Sequence, residues 1–131
     1  MIVLDTHVFI WLCLEARRLS ATASAAIKTS LGSGGIAIAS ITLWEIAMMI
    51  HLGRIVPHAT PETWLGDLVR QSGVIVKEIT PAVAVLSTQF SRDFPADPAD
   101  RLIAATARAE GLPLVTRDAK LRRSPVLRTI W

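Results

Sequence analysis

The stretch Asp97-Pro98-Ala99-Asp100-Arg101-Leu102-Ile103-Ala104-Ala105-Thr106-Ala107 opens like a helix and organises the reading of the whole chain. Asp97 can cap it, its side chain accepting the free backbone N–H groups of the first turn. Pro98 suits the first helical position, where no N–H is needed. Asp100 falls in the first turn, at the positive end of the helix dipole. The run Leu102-Ile103-Ala104-Ala105 is too apolar to face water, so the helix is predicted to be buried. A carboxylate is thereby held at the mouth of a buried helix.

Working outward from it, Glu110-Gly111 closes the helix and Leu114-Val115 reads as a short strand ending at Thr116-Arg117-Asp118. A short helical turn and an edge strand from Val126 to Ile130 complete the chain. Upstream lie a loop from Phe90 to Ala96, a helix from Pro81 to Gln89 and a strand at Val74-Ile75-Val76. Before these come a helix from Pro61 to about Gln71 and one from Ser40 to Leu52. The latter starts with Thr42-Leu43-Trp44-Glu45, which matches a capping box, and ends at Gly53 in a C-terminal cap position. Gly35 to Ala39 reads as a strand, Ser20 to about Ser30 as an Ala-rich helix and Thr6 to Leu14 as a strongly apolar helix. Ile2-Val3-Leu4 is a continuous apolar run, typical of a strand buried on both faces. Strands alternate with helices and no hairpin signal intervenes. The expectation is an α/β domain, residues 1–131, with a mostly parallel sheet of four to five strands and helices on both faces.

A chain of 131 residues suits one domain, and its 51% hydrophobic share suffices for one core. A single cysteine, Cys13, cannot form an internal disulfide, which suggests a reducing compartment. No signal-peptide pattern is visible, and no apolar run reaches the ~18 residues of a membrane span. The expected location is cytoplasmic. Net charge is +3, and arginine supplies 11 of the 14 basic residues, a balance that suits a polyanionic partner. Gly32-Ser33-Gly34-Gly35 lacks the spacing of a phosphate-binding loop and carries no chemistry.

Ligands of open parallel sheets bind beyond the carboxyl ends of the strands. Asp5 follows the first strand, and Glu45 is expected in the first turn of the helix after the second. Asp100 opens the helix before the fourth strand, and Asp118 follows that strand. Each acid also has an ordinary structural role open to it, as a cap or first-turn acid. Together, four converging carboxylates repel one another, and partial desolvation raises the cost. A cation offsets it, and hard oxygen donors suit Mg²⁺ or Mn²⁺. The three histidines are scattered, and only His7 is near a proposed ligand. An acidic metal site under a basic rim suggests phosphodiester hydrolysis. Asp5, Asp100 and Asp118 would be ligands, directly or through water. Glu45 would be a ligand, or would orient or deprotonate the attacking water. Thr6 and Thr116 either position water or phosphate, or make strand-end hydrogen bonds to backbone. Arg54, Arg92, Arg101 and Arg117 are the candidate contacts to a nucleic-acid backbone.

Four motifs, in order along nearly the whole chain, resemble the PIN domain: Ile2-Val3-Leu4-Asp5-Thr6, Ser40-Ile41-Thr42-Leu43-Trp44-Glu45-Ile46, Asp97 through Ala105, and Leu114-Val115-Thr116-Arg117-Asp118. Within that family they look like VapC-type toxins of bacterial toxin–antitoxin pairs. The resemblance implies a three-layer α/β/α fold and a Mg²⁺- or Mn²⁺-dependent endoribonuclease acting on RNA. It also implies a homodimer and a VapB-type antitoxin partner whose tail lies across the active site. The family's metal-site acids carry over to Asp5, Glu45, Asp100 and Asp118, with Asp97 accessory. The apolar helices containing Trp11 and Trp44 are either partner surfaces or parts of the monomer's own core.

Two other functions compete. A receiver-like domain also binds Mg²⁺ on a parallel sheet. It needs adjacent acids after the first strand and a phospho-acceptor Asp after the third; Asp5 has no acidic neighbour and the third strand runs into Lys77-Glu78-Ile79-Thr80. A non-catalytic PIN-like module binding RNA or protein is the other, and retention of all four acids opposes it.

Overall fold

The computed structural model describes all residues from Met1 to Trp131. Five strands, β1 (Ile2–Leu4), β2 (Ile36–Ala39), β3 (Ile75–Lys77), β4 (Leu114–Val115) and β5 (Thr129–Ile130), form one sheet in the order β3-β2-β1-β4-β5. Every neighbouring pair is parallel. Seven α-helices cover it: α1 (Thr6–Leu14), α2 (Ala21–Leu31), α3 (Ile41–His51), α4 (Pro61–Ser72), α5 (Pro81–Ser87), α6 (Pro98–Ala109) and α7 (Ala119–Arg122). A 3₁₀ turn at Ala16–Arg18, not foreseen in the sequence, links α1 to α2.

The alternation of side chains along each strand separates two cores. On one face Ile2, Leu4, Ile36 and Ile38 meet Val8 and Phe9 of α1, Ala23 and Ile27 of α2, and Trp64 of α4. On the other, Val3, Ala37, Ala39 and Leu114 meet Ile103, Ala104 and Ala107 of α6, with Leu121 of α7 and Phe94. The Ile-Ala-Ile-Ala run of β2 explains the difference. Its isoleucines fill space under several helices; its alanines, facing Ala104 and Ala107, let α6 lie close to the sheet. Phe9 has no accessible surface, and truncating such a ring to Ala costs about 3–5 kcal/mol.

The strand order excludes the receiver alternative, whose sheet runs 2-1-3-4-5. The chain winds from β1 through β2 to β3 on one side, then crosses over to β4 and β5 on the other. The order therefore reverses at β1, and the switch point lies where β1 and β4 end. Asp5 directly follows β1 there, and Thr116-Arg117-Asp118 directly follows β4. Helices α1, α3, α5 and α7 each leave the carboxyl end of a strand directly, so their first turns gather at the same edge.

Candidate metal centre

Asp5 is both the end of the central strand and the cap of α1. Its Oδ1 accepts the Thr6 N–H at 2.8 Å, and its Oδ2 accepts the Thr116 hydroxyl at 2.6 Å. Only 8% of the residue is accessible. Burial raises its pKa, and nearby Asp118 adds to the rise. The Thr116 hydroxyl, the Thr6 N–H and the charge of His7 pull the other way.

Glu45 is reached by a relay of hydroxyls. Thr6 Oγ1 donates to Glu45 Oε1 at 2.6 Å and pairs with Thr42 Oγ1 at 2.9 Å. A hydroxyl has one proton; with Thr6 committed to the carboxylate, Thr42 must donate to Thr6. Thr42 is fully buried, so this order fixes the Glu45 carboxylate from beneath. The expected capping box is absent. Ser40 is the N-cap of α3 and makes no side-chain cap bond. Glu45 therefore sits in the second turn, turned toward Thr6 and away from the helix start. Its pKa is raised by burial first, then by Asp5 and Asp97, against the Thr6 hydrogen bond and His7.

The other acids cap helices as the sequence predicts. Asp97 Oδ1 accepts from the Ala99 and Asp100 N–H groups at 2.7 and 3.4 Å. Asp118 Oδ1 accepts from those of Lys120 and Leu121 at 2.8 and 3.1 Å. Each leaves its second oxygen without such a bond. Asp100, in the first turn of α6, accepts no hydrogen bond. Burial, followed by the charges of Asp5, Asp97, Asp118 and Glu45, pushes its pKa up to about 7.

All five acids line one cleft of about 470 Å³, with Thr6, His7, Val8, Trp11 and Arg117 completing the wall. Thr116 lies just beneath, holding Asp5 and accepting the Asp118 N–H at 3.0 Å. Thr6 and Thr116 both donate to carboxylates, which the sequence reading did not foresee, and Thr116 also makes the expected strand-end hydrogen bond to backbone through the Asp118 N–H. No three acidic, His or Cys side chains are arranged to grip one ion directly. The donor set still fits a hydrated Mg²⁺ or Mn²⁺. It is all hard oxygen, the carboxylates raise one another's pKa, and such ions keep several waters and need few protein ligands.

The candidate arginines separate. Arg117 lines the acidic cleft, its guanidinium 5.9 Å from the Trp11 ring. Arg92 lines a neighbouring cleft. Arg101 is turned inward onto backbone carbonyls of the Phe90–Pro95 segment, so it is not a free phosphate contact. Arg54 lines neither cleft. It follows the far end of α3, whose 11 residues carry the chain about 16 Å from the helix start. Trp11 is buried against Trp131, whereas Trp44 is 58% exposed. Cys13 is half-buried and burial pushes its thiol up to about 11, which leaves it unreactive. Sequence reasoning missed Thr42 as a support; its place three residues before Glu45, on the same helix face, was the available signal.

The PIN domain model matches residues 2–127 of the chain. Ribonuclease VapC22 of Mycobacterium tuberculosis is 39% identical, over 99% of this chain and 98% of that protein. Two solved structures share the fold. One is VapBC2 from Rickettsia felis bound to a DNA fragment from its promoter, with TM-score 0.74 and 20% identity over 98% of this chain and 97% of that one. The other is DNA-bound VapBC from Salmonella typhimurium, with TM-score 0.71 and 22% identity over 98% and 97%. A parallel sheet carrying an acidic cleft at its switch point, a family match along nearly the whole chain and a full-length relative of this identity agree: the chain belongs to the PIN domain family, among its VapC-type members.

Proposed function

We propose that the protein is a Mg²⁺- or Mn²⁺-dependent endoribonuclease, the toxin of a type II toxin–antitoxin pair. The observation that carries it is the single cleft in which Asp5, Glu45, Asp97, Asp100 and Asp118 meet at the switch point of the sheet. The full-length likeness to a ribonuclease supports the same reading. Asp5, Asp100 and Asp118 would hold the ion, directly or through water, with Asp97 as an accessory. When bound, the ion supplies positive charge for the scissile phosphate and lowers the pKa of a nearby water.

The chain's own groups do the rest. Glu45, aligned by the Thr42–Thr6 relay, accepts a hydrogen bond from the attacking water and takes its proton; its raised pKa makes it a better base than an exposed carboxylate. Thr116 favours the ionised form of Asp5 and fixes its carboxylate. Arg117, resting on Trp11 at the rim, offers a cation to the phosphate. RNA is the substrate, and the partners are a VapB-type antitoxin and a second copy of the chain. The solved VapBC assemblies of like fold support the antitoxin, and exposed Trp44 offers apolar surface to such a partner. No helix is long and apolar enough to cross a membrane, which supports action in the cytoplasm.

The test is cleavage of RNA by the purified chain with Mg²⁺ or Mn²⁺ and with EDTA. Asp5→Asn and Asp100→Asn, each folded by circular dichroism, should lose at least about 100-fold in kcat, the scale of removing charge stabilisation from a transition state. Parent-like cutting by both variants would remove the enzyme reading and leave a binding module.

A further inference from the structure

A second cleft, of about 530 Å³, opens between the loop around Ser91–Ala96 and the segment from Lys120 to Pro125. It adjoins the acidic one. Pro95, Ala96 and Lys120 line both this cleft and a shallow surface that carries Asp97, Asp100 and Asp118. Three exposed cations, Arg92, Lys120 and Arg123, stand around it against one carboxylate, Asp93. None of the three forms an ion pair within the chain, whereas Arg17, Arg18, Arg70 and Lys77 all do. Arg108 and Arg128 are likewise engaged, on the carbonyls of Val126 and Gly111. Unpaired cations gathered at one cleft raise its potential and favour a polyanion there.

The loop that forms one wall is fixed from within. Arg101 Nε donates to the Pro95 carbonyl at 2.9 Å. Its two Nη atoms donate to the carbonyls of Phe90 at 3.4 Å and of Ser91 and Phe94 at 3.3 Å. The guanidinium also lies 5.7 Å from the Phe94 ring. Phe94 is buried and stacks on Phe90 at 4.2 Å. Arg101 directly follows Asp100 in α6, so one helix start sets both the acidic cleft and the basic wall.

We propose that this second cleft is the track for the RNA backbone on one side of the scissile phosphate. Arg92, Lys120 and Arg123 contact phosphates, and Arg101 is a positioning residue that holds the loop carrying Arg92. The proposal rests on the ribonuclease reading and extends it: the substrate is a single strand that continues past the cut. A polar groove beside the reacting centre suits one strand, whose backbone it follows by charge.

The experiment measures fluorescence anisotropy of a labelled single-stranded RNA on the full chain. It uses Asp100→Asn as the background to prevent cleavage, and a range of salt concentrations. Arg92→Gln with Arg123→Gln should weaken binding about tenfold or more, and should flatten the plot of log affinity against log salt by about 1.4, or 0.7 per lost phosphate contact. Both side chains are exposed, so the fold is not at stake. Lys28→Gln, on α2, should leave affinity and slope unchanged. Arg101→Ala should flatten the slope too, and adding Arg92→Gln to it should change little further. Additive effects of Arg101 and Arg92 would overturn the positioning role, since a separate structural role predicts additivity. If the double variant binds like its background while the parent cuts RNA, the cleft belongs to some other polyanion, an acidic protein segment among them; the track is then refuted and the nuclease reading stands. If the parent neither binds nor cuts RNA, both fall.

Discussion

Thr116 has one hydroxyl proton and gives it to Asp5, a carboxylate almost without solvent. Thr116→Val keeps the shape and removes the donor. It should cost about 1–3 kcal/mol, seen as a lower melting temperature. The loss should grow as pH rises, because the hydrogen bond serves the ionised form. Asp100 makes a second prediction, of opposite character to an ordinary ion-paired acid. Its folded pKa, about 7, lies above the ordinary aspartate value of 3.8. Its contribution to stability is therefore full below pH 4 and lost as pH rises through 7. Without divalent metal, the melting temperature should fall as pH rises from about 4 to 7, and Asp100→Asn should flatten that fall. A fall that Asp100→Asn leaves unaltered would show another group to be responsible. At this scale the acids were legible because carboxylates beside apolar strands are conspicuous. Thr42 was not, since its hydroxyl has value only once Thr6 and Glu45 lie opposite it.

Helix starts do most of the positioning. Asp97 joins a capping role to a seat in the cleft, and two substitutions separate these. Asp97→Ala should destabilise the protein by about 1 kcal/mol through loss of the cap, read by denaturant midpoint. Asp97→Ser keeps a capping oxygen and should restore most of that stability. If the charge also serves catalysis, RNA cleavage stays low in the Ser variant despite its recovered stability. Recovery of both would confine Asp97 to capping. Elements of this kind were readable because their signals are local: Asp97-Pro98 starts α6, and Gly111, at φ 67°, follows its end. The capping box at Thr42–Glu45 misled for the same reason. The local pattern is genuine, but α3 turns both side chains toward Thr6, and tertiary hydrogen bonds to the site replace the cap. The terminal edge strand was placed correctly but shrinks to Thr129–Ile130, since pairing length depends on the partner strand and not on the run of apolar residues.

At the scale of the molecule, topology turns residues far apart in the chain into neighbours. Parallel winding sends every strand's carboxyl end to one edge, so the meeting of Asp5, Glu45, Asp100 and Asp118 could be inferred before any coordinates. The basic cleft could not, because it depends on which arginines are engaged elsewhere: Arg101 looked like a phosphate contact and instead braces a loop. Bringing the acids together leaves them partly buried and repelling in the metal-free state; burial first, and neighbouring carboxylates after it, raise the pKa values of Asp5, Glu45 and Asp100. Any ion that binds the assembled cleft and not the unfolded chain must stabilise the fold. At 100 times its dissociation constant the gain is about 2.7 kcal/mol, or roughly 10 °C for a domain of this size. The gain should be greater at pH 8 than at pH 6, since at the lower pH the ion must displace a proton from Asp100. Thermal melts with Mg²⁺ and with Mn²⁺ at both pH values measure it. The double variant Asp5→Asn, Asp100→Asn should melt alike with and without metal. A parent whose melting point ignores millimolar metal at pH 8, or a double variant that gains as much as the parent, would mean that these carboxylates stand together without serving as one site.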